Sequence, residues 1–249
     1  MSKILKFEWY KTKSRKIIPK VSAVFVVWGV LFSIFIKFNP DFMSYETAFK
    51  HSFLLNYLLT FAMVWLAATK FGEEFEHRTI IPLVTIVSRR QKIFWAKLIE
   101  IIINLLLLQV VIQVLSMGLN YLVLNQSLDF NAVKLSMFFS LGSMLSTAMI
   151  ITLSIMMVSL FKKSMWGLIA GVVVFIGYNV GNGMNFSIIA KYPWTKYSII
   201  NVINLQNQIV DLTYEEMTML SVNSLIWINV AYLVIFCGIG YVVFRNIEI

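Results

Sequence analysis

Six long apolar runs, set apart by short stretches of lysine, arginine and polar residues, organise this chain of 249 residues. They fall at 21–38, 49–69, 98–124, 135–160, 165–184 and 225–244. Each meets the minimum of roughly 17 residues that an α-helix needs to cross the hydrocarbon core of a bilayer. None alternates apolar and polar positions as a membrane β-barrel strand would, and a helix satisfies its own backbone hydrogen bonds in lipid. The pattern predicts an all-α, polytopic membrane protein with six transmembrane helices in a single transmembrane domain, 1–249. The first run follows a basic stretch, as the apolar part of a signal peptide would. No small-x-small cleavage pattern follows it, so it reads as a retained helix.

Composition sharpens this reading. Hydrophobic residues make up 59% of the chain and charged residues only 13%, with a mean hydropathy of +0.79, against about 25% charged in an ordinary soluble domain. A net charge of +9 would suit a nucleic-acid partner, but the basic residues lie on one side of the predicted bilayer. Seven precede the first run (Lys3, Lys6, Lys11, Lys13, Arg15, Lys16, Lys20), and six lie between the second and third (Lys70, Arg78, Arg89, Arg90, Lys92, Lys97). Lys162, Lys163 and Arg245 complete sixteen of the 21 lysines and arginines. Positively charged flanks stay in the cytoplasm, so both termini are expected there and no nucleic-acid partner is expected. The single cysteine, Cys237, falls within the last run; it can form no intrachain disulfide and reads as packing.

Three segments outside the runs are long enough to carry structure. Residues 1–20 mix Ile4, Leu5, Phe7, Trp9 and Tyr10 with the seven basic residues, which suits an N-terminal interfacial helix on an anionic leaflet; a simple basic flank fits as well. Residues 70–97 form a cytoplasmic loop in which Phe71, Phe75 and Thr79 share a helical face and Glu74 can pair with Arg78 at i, i+4. An exposed aromatic stripe of this kind needs a partner, although an amphipathic loop folded back on the bundle would have the same pattern. Residues 185–224 form an extracellular loop expected to hold short helices. Tyr192-Pro-Trp-Thr-Lys-Tyr197 supplies an aromatic belt, and Ile199, Val202, Ile203, Gln206, Ile209 and Val210 an apolar-faced helix at the outer interface.

Polar positions within the runs also form patterns. Gln109, Gln113, Ser116 and Asn120 recur on one face of the third run, and Ser136, Ser140, Ser143, Thr147 and Ser154 on one face of the fourth. Such groups avoid lipid and face other helices or a cavity. Helix packing explains them, while Gln109, Gln113, Asn120, Ser140, Ser143 and Thr147 are also the candidates to line a translocation pathway. Gly167-x-x-x-Gly171 and Gly177-x-x-x-Gly181 in the fifth run permit close helix approach, within the chain or between two chains. Glu100 can be neutralised locally by Lys97, three residues before it.

Enzymatic readings find little support. Glu73-Glu74-x-x-x-Arg78 resembles the first motif of intramembrane CAAX-type proteases. Those enzymes need several histidines within their helices to hold a metal, and this chain has only His51 and His77, on opposite sides of the predicted membrane. No G-x-x-x-x-G-K-[ST] phosphate loop is present. No catalytic residue and no metal site are expected.

The loop between the second and third runs resembles that of ABC-2-type permeases. There an acidic cluster ending in Gly-Thr or Arg-Thr is followed by an apolar turn, Ser-Arg and a lysine at the start of the third helix. Glu73, Glu74, Glu76, Arg78, Thr79, Ile80, Pro82, Leu83, Ser88, Arg89 and Lys97 follow that order. The resemblance implies an ABC-2, type V exporter-like fold and a coupling helix that inserts into a cytoplasmic ABC ATPase. Phe71, Glu73, Glu74, Phe75, Glu76, Arg78, Thr79, Arg89 and Arg90 would be the docking residues. It further implies a second permease, the same chain or a sister chain, and two copies of the ATPase. ATP and Mg2+ would sit on that partner, with no cofactor on this chain. In size the chain resembles the short permeases of lantibiotic immunity and phenol-soluble-modulin export. That similarity implies export of amphipathic or antimicrobial peptides or other hydrophobic compounds across a bacterial plasma membrane. The competing readings are a membrane scaffold or sensor that docks a cytoplasmic partner, and a secondary transporter, which the lack of intramembrane charges and repeats disfavours.

Overall fold

The computed structural model describes residues 2–76 and 90–246, and among them the only regular secondary structure is helical, with no strand. An N-terminal helix α1 (Ser2–Ser14) leads into α2 (Ile17–Phe38). The short α3 (Tyr45–Lys50) precedes α4 (Leu55–Glu76). Then come α5 (Arg90–Leu122), α6 (Phe130–Phe161) and α7 (Ser164–Lys191). Three short helices, α8 (Ile199–Val202), α9 (Leu205–Gln208) and α10 (Tyr214–Thr218), precede α11 (Val222–Arg245). Helices α2, α4, α5, α6, α7 and α11 are the six long and apolar enough to span a membrane. They correspond one to one with the six apolar runs. Several extend past the run, because charged residues that lower hydropathy, such as those of α5 between Arg90 and Lys97, still continue the helix.

The bundle has a centre and a periphery. In the most apolar stretches of α4 and α6, 61% of residues are buried, against 22% for α2 and 17% for α7 and for α11. Three close approaches bring the backbones together. A Cβ at Gly171 of α7 would lie 2.4 Å from Val64 of α4, one at Gly167 2.4 Å from Val158 of α6, and one at Gly72 of α4 2.4 Å from Ser164. The Gly167 and Gly171 pair expected to form a tight interface therefore does so within the chain.

The bend between α1 and α2 has a local cause. Pro19 lacks an amide N–H and its ring clashes with the carbonyl four residues back, so α1 cannot run on through it. The chain turns at Lys16, which takes a left-handed conformation (φ 50°, ψ 40°), and Pro19 then falls in the first turn of α2, where a missing donor costs nothing.

Residues 201–208 depart from the sequence expectation. In place of an apolar-faced helix at the outer interface, the segment folds back into the bundle and is buried throughout; Tyr192, Trp194 and Tyr197 remain exposed. A Cβ at Gly142 of α6 would come within 2.9 Å of the Gln206 backbone. Gln206 and Asn207 donate to the Tyr178 hydroxyl of α7 at 2.9 and 2.8 Å. Gly142 and Tyr178 lie 12 and 13 residues from the nearer ends of their helices, a depth of roughly 18–20 Å at 1.5 Å per residue. Irregular backbone is tolerated so deep only where protein surrounds it, and amides supply the partners. Asn182 and Asn204 exchange two hydrogen bonds of 2.8 and 2.9 Å, Gln208 donates to the Leu220 carbonyl, and Asn229 of α11 donates to the Val202 carbonyl.

Ahead of α4, three consecutive non-glycine residues, Ser52, Phe53 and Leu54, take left-handed φ values of 49°, 52° and 62°. Each costs about 1–2 kcal/mol. Full burial of Phe53 and a hydrogen bond shared by the Ser52 and Ser136 hydroxyls hold the turn. Beside it the His51 ring packs edge-on against Phe139, 4.7 Å between centroids. Burial, and secondly the charge of Lys50, hold the His51 pKa below the ordinary 6.5. The unfolded chain therefore binds this proton more readily, so the contribution to stability is present above about pH 6.5 and is lost as pH falls toward the folded-state pKa. Melting of the detergent-purified chain between pH 7 and 5 should show a smaller acid-induced loss for His51→Gln than for wild type. Equal losses would remove His51 as the cause.

Candidate functional site

Two polar systems stand out in a mostly apolar bundle. The first is a ladder where α4, α5 and α6 meet. Asn56 of α4 donates to Ser140 of α6 at 3.4 Å and accepts from Gln109 of α5 at 2.9 Å. Gln113 of α5 donates to the Ser140 hydroxyl and to the Ser136 carbonyl, and the Thr60 and Thr147 hydroxyls lie 2.7 Å apart. Of the pathway candidates, Gln109, Gln113, Ser140 and Thr147 are thus joined between helices, while Asn120 and Ser143 are buried. Thr60, Thr147, Tyr57, Tyr178 and Gln206 border a void of about 10 Å³, room for a single water. Interhelical hydrogen bonds in membranes average about 0.6 kcal/mol each, so the ladder's main effect is to fix register.

The second system lies at the end of the bundle where α1 packs, and it is ionic. Lys97 of α5 is 2% exposed and reaches Glu74 of α4 at 2.7 Å, Glu8 of α1 at 3.5 Å and the Lys70 carbonyl at 2.8 Å. Lys70 pairs with Glu100 of α5. The Thr12 hydroxyl donates to Glu100 at 2.6 Å and accepts from Lys70, and Asn104 donates to the same carboxylate. Lys11 adds a contact of 3.5 Å to Glu74. Three carboxylates and three ammonium groups therefore balance here, all but Lys11 with their side chains largely buried. Helix α1 presents Glu8 and Thr12 inward and Phe7, Trp9 and Tyr10 outward, which explains why a helical wheel with an apolar inner face does not fit it. Glu100 is neutralised by Lys70 of another helix, whereas Lys97 serves Glu74 and Glu8 in place of the Glu100 three residues after it.

The residues expected to dock a partner divide along the chain. Phe71 is fully buried, its ring 5.5 Å from that of Phe94 and 5.9 Å from that of Phe244. Glu74 is buried in the ion set. Neither belongs to an exposed stripe: the shared face of Phe71 and Phe75 meets α11, with Phe75 half-buried against Phe244. Glu73 pairs with Arg15 at 2.7 Å, and Glu76 accepts from the Ser164 backbone N–H at 2.8 Å and hydroxyl at 2.7 Å. Arg78, Thr79 and Arg89 lie outside the described residues, as does the side chain of Arg90. Among the described residues no group of three or more His, Cys, Asp or Glu is placed to hold a metal.

Sequence reasoning missed Glu8, Thr12, Asn56, Thr60 and Lys70 as members of these systems. Glu8 and Thr12, Asn56 and Thr60, and Lys70 and Glu74 are each four apart, so three short polar stripes were present in the pattern. Their partners come from runs far away in sequence and had no local signature.

Removing one member of a buried ion set leaves uncompensated charge and costs about 3–5 kcal/mol. Lys97→Met should lower the thermal midpoint of the detergent-purified chain markedly, and adding Glu74→Gln should recover part of the loss. If the two substitutions are simply additive, the pair is not coupled.

A family model described as ABC-2 family transporter protein matches residues 4–178. The matched span runs from α1 through the ion set and the polar ladder into α7. No curated protein matches the chain. With a family match over well over half its length and six helices able to span a membrane, the chain is a multi-pass membrane protein that belongs to the ABC-2 transporter family.

Proposed function

We propose that this chain is the permease subunit of an ATP-driven exporter and works with a separate cytoplasmic ABC ATPase that engages the segment between α4 and α5. Both termini are cytoplasmic in this reading, and a second permease, the same chain or a sister, completes the pathway. The observation that carries it is the wiring at the end of α4. Glu73 ties to Arg15 beside α1, Glu74 to Lys97 of α5 and Glu76 to the first turn of α7. A force applied to the segment that follows Glu76 is thereby passed to three helices together. A scaffold that only holds a partner has no use for such linkage, whereas a transporter switched between inward- and outward-facing states by a partner needs it.

The cargo best suited to this bundle is an amphipathic peptide or another hydrophobic compound. The ladder where α4, α5 and α6 meet is built of neutral hydroxyl and amide groups, which suit such a cargo better than a small ion. The seam of α4, α5 and α6, held by individually weak hydrogen bonds, is the part we assign to the pathway, and the bacterial plasma membrane is the expected location.

Affinity purification of the tagged chain in mild detergent from its native host should recover an ATPase carrying a phosphate-binding loop. An Arg78→Glu, Arg89→Glu variant should lose it while keeping the wild-type melting profile. Recovery of no ATPase by the folded wild type would remove the exporter reading in favour of a scaffold or a secondary transporter.

A further inference from the structure

A cavity of about 640 Å³ opens between α1, the start of α2 and the C-terminal half of α4. That lies within the ~300–1,000 Å³ range of small-molecule sites. Its walls differ in character. Ile17, Val21, Trp65 and Leu66 give an apolar side continuous with the surfaces of α2 and α4. Lys16 and Lys20 stand at its mouth, both exposed and without an ion pair among the described residues. The other basic residues on the lining, Lys11, Arg15, Lys70 and Lys97, are all paired with carboxylates. On the inner side lie Glu8 and Glu74, each with one buried carboxylate oxygen that accepts no hydrogen bond, that of Glu8 lying 3.8 Å from the Lys11 ammonium.

We propose that this cavity is a binding site for a membrane phospholipid whose headgroup carries hydrogen-bond donors next to its phosphate. The phosphate meets Lys16 and Lys20, and glycerol hydroxyls or a primary ammonium fill the open acceptors of Glu8 and Glu74. An acyl chain lies along Val21 and Trp65. Three independent features converge on this ligand. Two unpaired cations call for an anion, and two unfilled buried acceptors call for donors on the same molecule, because an unsatisfied buried oxygen costs about 1–3 kcal/mol. The apolar wall calls for a hydrocarbon tail. Inorganic phosphate has neither tail nor reach, and a choline headgroup has no donor. The site also fits its surroundings, since α1 turns Phe7, Trp9 and Tyr10 outward, where aromatic side chains settle at a membrane interface.

The test is native mass spectrometry of the full chain in neutral detergent, titrated with phosphatidylglycerol, phosphatidylethanolamine or phosphatidylcholine of the same acyl composition, with and without inorganic phosphate. Wild type should retain one phosphatidylglycerol or phosphatidylethanolamine in preference to phosphatidylcholine, and phosphate should not displace it. Lys16→Asn with Lys20→Gln should bind about 30-fold more weakly, each lysine near a lipid surface contributing about fivefold. Asparagine tolerates the left-handed backbone at position 16, and a melting curve checks that the variant folds. Should it not fold, the headgroup preference of the wild type decides alone. Equal retention of phosphatidylcholine, full retention by the folded variant, or displacement by phosphate would each overturn the assignment. No ATPase takes part, so the outcome is independent of the exporter reading.

Discussion

A buried ammonium group can persist in a bundle of this kind only if carboxylates are brought to it, and Lys97 sets that condition for one whole end of the molecule. Its partners come from α1 and α4, and the carbonyl it also contacts belongs to Lys70, which itself reaches back to Glu100 on α5. Moving any one of these three helices away leaves charge without compensation, at a cost far above that of parting an apolar contact of similar size. Helix α1, which has too few buried apolar groups to hold itself in place, is anchored by this demand. The bend at Lys16 and Pro19 then sets how α2 enters the bundle.

Above the ion set the same logic continues in neutral form. Asn56, Gln109, Gln113 and Ser140 satisfy one another across α4, α5 and α6, and the amides of residues 201–208 do so against α7 and α11. The contrast in strength matters. Charged contacts hold one end firmly, while the middle is pinned by bonds of a few tenths of a kcal/mol to about 1 kcal/mol each, enough to choose a register and weak enough to exchange.

The six spans were legible because hydropathy reports the lipid environment residue by residue. Helix ends were less so: α5 begins among Arg90, Lys92 and Lys97, which a hydropathy window rejects although their aliphatic stems favour a helix. Phe71 shows a deeper ambiguity. An i, i+4 aromatic face says that something covers it, and Phe94 and Phe244 of the same chain are as good a cover as another protein. The segment 201–208 failed for a related reason. Ile and Leu alternating with Asn and Gln looks like a helix at a water boundary, yet the same amides serve a buried segment equally well once Tyr178, Asn182 and Asn229 are there to meet them. Partners distant in sequence decide between the two, and one chain read linearly does not display them.

The buried segment at 201–208 also sorts the bundle into fixed and free arms. It is bonded to α7 through Tyr178 and Asn182 and to α11 through Asn229, and it lies on α6 at Gly142. Those three helices can separate at that end only by breaking the wedge between them. Helix α2 sits outside this grip, mostly uncovered and bordered at its start by the large cavity.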